Sequence, residues 1–193
     1  VILNGKELGE FKLTIPGEHN VSNSLPVIYL ALKFGVTIDE LKYKLSHFTG
    51  ARRRFDLLLD DGIQIIDDYA HHPTEVFVTL KAAKERCNTK LVAIFQPHRY
   101  SRVKYQFEKF EGIFDLADEV MLLPTYAAGE KDIFGISTED LAKKIRPEGK
   151  IQVVHNAEEI MKNIDESPKM YLFMGAGDIS IMAHNIAKLL EKR

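Results

Sequence analysis

From Arg52 onward, apolar residues gather in short runs at Phe55–Leu59, Ile63–Ile66, Leu91–Phe95, Val120–Leu123, Ile151–Val154 and Met170–Met174. Runs of this length, bounded by turn-forming or charged residues, predict strands. Asp60-Asp61-Gly62 joins the first two as a hairpin. The later intervals carry helical spacing. Pro73 suits the first position of a helix near 73–86, and Val103, Phe107, Phe110 and Phe114 face the core from a helix near 102–116. Ser137 and Asp140 open a helix near 138–145, and Ile179, Met182, Ile186 and Leu189 stripe the last one. Alternating strands and helices predict an α/β, Rossmann-like, doubly wound sheet of about six strands, mostly parallel, with one antiparallel edge strand.

Residues 1–50 follow another pattern. Asn4-Gly5 predicts a tight turn, and Phe11, Leu13 and Ile15 alternate as in a half-buried strand that Pro16-Gly17 stops. Val21, Leu25, Ile28 and Leu32 predict a helix closed by Gly35. Thr37 and Glu40 form a capping box for a second helix carrying Leu41 and Leu45. So small a stretch with so few large apolar groups makes a marginal core. Residues 1–50 therefore read as the tail of one domain, and 51–193 as a second domain.

Composition narrows the function. The chain has 193 residues, 45% hydrophobic and 28% charged, with a formal charge of -2. That balance leaves no basic surplus for a nucleic-acid backbone. The single cysteine, Cys87, excludes an intramolecular disulfide and sits where a helix is expected to end, a structural position. No apolar run reaches the roughly 20 residues that span a bilayer. The expectation is a cytoplasmic protein that binds neither nucleic acid nor membrane. Val-Ile-Leu-Asn-Gly at the start has neither an initiator Met nor a signal-peptide pattern, so the chain is expected to begin inside a longer protein.

In an open α/β sheet, ligands sit beyond the carboxyl ends of the strands. Those ends carry Asp67-Asp68-Tyr69-Ala70-His71-His72, then Gln96-Pro97-His98-Arg99-Tyr100-Ser101-Arg102, Pro124 to Glu130, and Gly175-Ala176-Gly177-Asp178. Three of the seven histidines fall in two of these loops. Arg99 and Arg102, three apart at a helix start, can share a face and clamp one anion. Plainer readings stand beside these. Asp67 or Asp68 could cap the next helix, one of the paired histidines could hold its loop through a backbone hydrogen bond, and Arg52-Arg53-Arg54 could be a solvated charge run. Gly175-Ala176-Gly177 reads as a tight turn, because Ser180 stands where a dinucleotide fingerprint has its third glycine.

The motifs at 67–75 (Asp-Asp-Tyr-Ala-His-His-Pro-Thr-Glu) and 95–102 (Phe-Gln-Pro-His-Arg-Tyr-Ser-Arg) resemble two signatures of the UDP-N-acetylmuramate–L-alanine ligases, a branch of the Mur ligase family. Pro-Gly-Glu-His-Asn-Val-Ser-Asn at 16–23 is similar to the family's hinge-proximal motif. Arg-Arg-Phe at 53–55 and Met-Gly-Ala-Gly-Asp-Ile at 174–179 follow in the expected order. The resemblance implies three domains in the whole protein, with 1–50 the end of the central ATP-binding domain and 51–193 the carboxyl-terminal one. No G-x-x-x-x-G-K-S/T sequence occurs, so the phosphate cradle and most Mg²⁺ ligands are expected upstream and the chain alone is expected to be inactive.

By the same resemblance the substrates are ATP, UDP-N-acetylmuramate and L-alanine, joined through an acyl phosphate in peptidoglycan synthesis. Asn20 and Asn23 are implied to bind adenine, with His19 bordering that pocket. Arg54, or failing it Arg53, is implied to reach the ATP phosphates, and Asp68 the ribose hydroxyls. Tyr69, His71, Arg99 and Arg102 are implied to serve the other substrates, with His72, His98 and Asp178 as weaker candidates. A competing enzyme would be a metal-dependent hydrolase using His71, His72, His98 and Asp68. Adjacent histidines point apart, however, and the rim arginines would repel a cation, so no resident metal is expected. A stand-alone nucleotide-binding module is the reading outside catalysis.

Overall fold

The computed structural model describes residues 1–145 and 151–192. Two compact units divide the chain, Val1–Arg52 and Arg53–Arg193.

In the first unit, β1 (Ile2–Leu3) and β2 (Lys6–Glu7) form a hairpin around Asn4-Gly5, both at positive φ as such a turn requires. The expected strand at 11–15 does not form: this stretch is irregular, and the small sheet contains only β1 and β2. Alternation alone cannot make a strand without an edge to pair with. Helix α1 (Glu18–Lys33) runs through Pro26, and α2 (Ile38–Ser46) packs against it. The Thr37–Glu40 capping box is present in both directions. Only Ile28 of α1 and Leu41 of α2 are buried, whereas Val21, Leu25, Tyr29, Leu30 and Phe34 remain exposed.

The second unit is a six-stranded sheet in the order β3-β4-β8-β5-β6-β7, where β3 is Asp56–Asp61, β4 Ile63–Asp68, β5 Lys90–Phe95, β6 Glu119–Leu122, β7 Ile151–Val153 and β8 Lys169–Met174. Only edge strand β3 runs antiparallel, turning into β4 at Gly62 (φ 69°). Residue alternation splits the core in two. Leu91, Ala93, Phe95, Leu122 and Leu172 pack under α3 (Pro73–Arg86), α4 (Tyr100–Gln106) and α5 (Thr138–Ile145). Val92, Ile94, Met121, Tyr171 and Phe173 pack under α6 (Ala157–Lys162) and α7 (Ile179–Leu190). This is the doubly wound arrangement that the periodicity predicts.

Two helices differ from their predicted form. The helix near 102–116 starts at Tyr100 and tightens to a 3-10 turn at Phe107–Phe110, and Gly112 (φ 72°) follows. This lets Phe110 and Phe114 both meet Phe95, at ring separations of 5.8 and 5.4 Å. Along α7 the buried line is Ile179, Ala183, Ile186 and Ala187, leaving Leu189 exposed. Small alanines bring this helix close to the sheet.

Candidate functional site

The parallel strands β4, β8, β5 and β6 end in register, and the pairing continues into their loops. Gly175 N donates to the Asp68 carbonyl (3.1 Å), Gln96 N to Met174 (3.0 Å) and Leu123 N to Phe95 (2.9 Å). The loops are then braced to one another. Tyr126 N donates to Pro97 O and Arg99 N to Tyr126 O, both at 2.8 Å, while His98 stacks on Tyr126 with rings 5.7 Å apart. Glu130 accepts from Ser101 N (3.0 Å) and Ser101 Oγ (2.7 Å), capping α4 from outside because Arg99, its N-terminal neighbour, offers no side-chain cap. Gln96 Nε2 donates to Asp178 (2.6 Å) and its Oε1 accepts from Ile179 N (3.2 Å). A Cβ on Gly177 would stand 2.5 Å from Gln96 Oε1 and 2.6 Å from Tyr126 Cγ, so glycine is what lets three loops meet.

The rim holds three kinds of arginine. Arg53, at φ 60°, is spent on the protein: it donates to Gly175 O (2.5 Å), pairs with buried Asp67 (3.5 Å) and lies over the Tyr69 ring (4.8 Å). Arg54 is exposed and lies 5.9 Å from the Tyr69 ring. Arg99 sits just before α4 with φ 69°, so the helical-face argument for pairing it with Arg102 does not apply. A non-glycine residue held there costs about 1–3 kcal/mol, which the bracing offsets. Arg102 turns back to donate from one guanidinium nitrogen to His98 Nδ1 (3.1 Å) and His98 O (3.3 Å). It does not pair with Glu108, which instead takes Lys144 at 2.6 Å.

Partners fix the three histidine tautomers. Arginine only donates, so His98 Nδ1 must accept and neutral His98 carries its proton on Nε2. Burial, then Arg102, His71 and Arg99, hold His98 below the usual histidine range. His72 caps α3, its Nδ1 accepting from Thr74 N (3.3 Å). The helix cap is thus His72, not Asp67 or Asp68. His71 is the reverse: its Nδ1 faces the Tyr69 carbonyl (2.9 Å), which only accepts, so Nδ1 carries the proton and Nε2 keeps a lone pair. Its ring meets Tyr69 at 5.1 Å and His98 at 5.6 Å, both edge to face.

Asp68 turns inward, accepting from Phe55 N and Ala70 N (2.8 Å each) and Thr79 Oγ1 (3.4 Å). Burial raises its carboxyl despite those bonds and the charge of Arg54. Its visible work is to hold the loop that presents Tyr69 and His71. Asp67, also pushed up by burial, accepts from Ser180 Oγ, which explains a serine at that turn. Three further residues, Glu75, Glu130 and Gln96, hold the rim together. Glu75 lies three residues beyond the His72 cap, the spacing of a capping box, and could have been found on that signal. Glu130 and Gln96 act across loops and leave no local signal.

His19, Asn20 and Asn23 belong to the first unit, in the opening turns of α1. Asn20 donates its amide to Pro16 O (2.6 Å), whereas the exposed Asn23 side chain makes no hydrogen bond among the described residues. Among those residues no group of three or more His, Cys, Asp or Glu converges as a metal site, and no helix is long and apolar enough to cross a membrane.

Against known proteins, residues 53–177 match the family described as Mur ligase, glutamate ligase domain. The chain is 48% identical to a UDP-N-acetylmuramate–L-alanine ligase of Fusobacterium nucleatum over 98% of its own length and 43% of that protein. It is 39% identical to another from Sulfurihydrogenibium sp., over 97% of this chain and 42% of that one. A solved structure of the Thermotoga maritima UDP-N-acetylmuramate–alanine ligase superposes with a TM-score of 0.80 at 34% identity, covering 99% of this chain and 42% of that one. The chain thus spans about two fifths of the length of the curated relatives it matches. By this match and this fold, the chain belongs to the Mur ligase family.

Proposed function

We propose that the protein carrying this chain is an ATP-dependent amide-forming ligase that joins L-alanine to UDP-N-acetylmuramate, and that this chain supplies the amino-acid side of its site. The observation that carries the reading is the braced rim that holds Arg99, Arg102 and His71 with no carboxylate within 4 Å of either arginine among the described residues. Such a site is built for an anion that the protein itself does not contain.

The substrate carboxylate is a poor electrophile because oxide cannot leave; phosphorylation by ATP makes phosphate the leaving group. An arginine fork holds the alanine carboxylate, and Tyr69 and His71 line the same loop. Asn23, with both amide groups unused, fits the adenine edge, and exposed Arg54 fits the phosphates. Asp68 has less to offer the ribose while its oxygens serve Phe55 and Ala70. Among the described residues no group of three or more His, Cys, Asp or Glu is set to hold Mg²⁺, and its ligands would lie in the P-loop portion of the protein. Val1–Arg52 would be the end of the central domain, its exposed α1 residues covered by that domain's body, and the setting would be the cytoplasm.

In the full-length protein, phosphate release should require both UDP-N-acetylmuramate and L-alanine, and the 193-residue chain alone should show none. Arg102→Lys keeps the charge but loses the planar fork. It should raise the KM for L-alanine or UDP-N-acetylmuramate about 10- to 100-fold, with the KM for ATP nearly unchanged. Wild-type constants for both non-nucleotide substrates would overturn the assignment.

A further inference from the structure

Resting on that reading, we propose that His71, oriented by Glu75, is the base that takes the proton the attacking amine must lose. Amino acids reach the site as ammonium ions, whose nitrogen has no lone pair. A base must have a free lone pair, and the rim histidines are not equivalent in this. His98 spends Nδ1 on Arg102 and His72 spends Nδ1 on Thr74, so in each neutral ring the outer nitrogen carries hydrogen. His71 alone of the three points its N–H back into the protein and leaves Nε2 open.

Glu75 stands behind it. Its Oε2 lies 3.3 Å from His71 Nδ1 and accepts from the backbone N–H of His71 (3.1 Å) and His72 (3.2 Å). The Tyr69 carbonyl fixes the tautomer, and a carboxylate behind the same nitrogen stabilises the imidazolium that forms. The groups facing His71 are Glu75 from α3, Tyr69 from its own loop, and His98 from the loop after β5, with the charges of Arg102 and Arg99 behind His98. Glu75 is the one anion in this set.

The step balances. One ammonium N–H bond breaks, its proton going to His71 Nε2 and its electron pair staying on nitrogen. That pair forms the C–N bond to the acyl phosphate carbonyl. The C–O bond to phosphate then breaks, phosphate leaving with the pair and taking the second nitrogen proton, so a neutral amide and hydrogen phosphate result. Glu75 touches no substrate and is a positioning residue.

The test uses the full-length ligase with two acceptors, L-alanine and hydroxylamine, the second being neutral near pH 7 and needing no base. His71→Asn should lower amide formation on the order of 100-fold or more and flatten the acid limb of its pH profile. Hydroxamate formation, which reports acyl phosphate and an intact fold, should stay near wild type. Glu75→Gln keeps an oxygen for the two backbone N–H groups but removes the charge; it should cut kcat for alanine while leaving the KM for alanine near wild type, and be restored in part by Glu75→Asp. Equal losses with both acceptors, or an undisturbed alanine reaction in His71→Asn, would overturn the proposal. A wild-type protein that forms neither hydroxamate nor amide would instead overturn the ligase reading beneath it.

Discussion

The two ends of the second unit's sheet both carry charges and use them in opposite ways. At the amino ends of the strands, cations and anions are matched: Lys169 with Asp165 (2.7 Å) and Glu119 (3.7 Å), Lys90 with Glu119 (3.7 Å), and Lys84 with Asp118 (3.0 Å). These pairs sit on or beside regular elements; in the Lys90 and Lys84 pairs both side chains reach solvent, whereas Lys169 is buried and its two carboxylate partners reach solvent. The Lys90 and Lys84 pairs are worth about 0–1 kcal/mol each. At the carboxyl ends, Arg53 pairs with a carboxylate, whereas Arg54, Arg99 and Arg102 have none within 4 Å among the described residues. The backbone there holds Arg53, Phe55, Arg99 and Ala128 at positive φ, four of the five non-glycine residues so placed among the described residues. One end spends its charges on itself, and the other holds them for something else.

The largest effect on stability should come from Arg53, the rim arginine that is paired with a buried carboxylate. Arg53→Ala leaves the buried Asp67 carboxylate and the Gly175 carbonyl without their cation. Breaking a buried pair costs about 3–5 kcal/mol, and partial exposure of Arg53 places this one near or below the lower figure. Chemical denaturation should show that loss, while Arg54→Ala should leave stability within about 0.5 kcal/mol and raise the KM for ATP in the full-length protein. Equal stabilities for the two variants would erase the distinction between internal and presented charge.

Next is the bracing itself. Gly177→Ala drives a methyl group against Gln96 Oε1 and the base of the Tyr126 ring. Overpacking of this kind costs about 1–3 kcal/mol. Because Tyr126 carries His98 and through it Arg102, ligation should fall further than stability alone accounts for. A substitution at the amino end, Lys169→Met, should leave kcat and each KM at wild-type values.

The same contrast explains what the sequence disclosed. Strands, helices and the doubly wound order were legible because burial on both faces writes itself into local spacing. The rim was legible as a set of loops, since strand ends are fixed by the same pattern. Roles inside it were less so. Arg53 and Arg54 are adjacent and chemically identical, and only the φ of 60° at Arg53 turns one inward. His71 and His72 differ by which backbone group meets Nδ1, a carbonyl or an N–H. Helix-like spacing suggested that Arg99 and Arg102 share a face, but an α4 that begins at Tyr100 removes Arg99 from the helix.

The smallest expected effect is a difference in the sign of the acid response at the two ends. Asp165 is held at about 2, below its ordinary 3.8, by the hydrogen bond from Lys169 and then by Ser167. A depressed carboxyl contributes stability that is fully present above 3.8 and is lost as pH falls through about 2. Asp67 lies the other way: burial outweighs the Ser180 hydroxyl and the Arg53 charge, and its carboxyl is raised above 3.8. The folded state then holds that proton longer than the unfolded chain does. This contribution therefore declines as pH rises from 3.8 through the raised value. Asp165→Asn should thus reduce stability above pH 4 by about 1 kcal/mol, because Asp165 is itself exposed and the buried Lys169 keeps Glu119 as a partner at 3.7 Å, with the deficit closing toward pH 2. Unfolding free energies of wild type and Asp165→Asn across pH 2–6 would measure it. A deficit that grows on acidification would reverse the assignment and make Asp165, not Asp67, the carboxylate that folding disfavours.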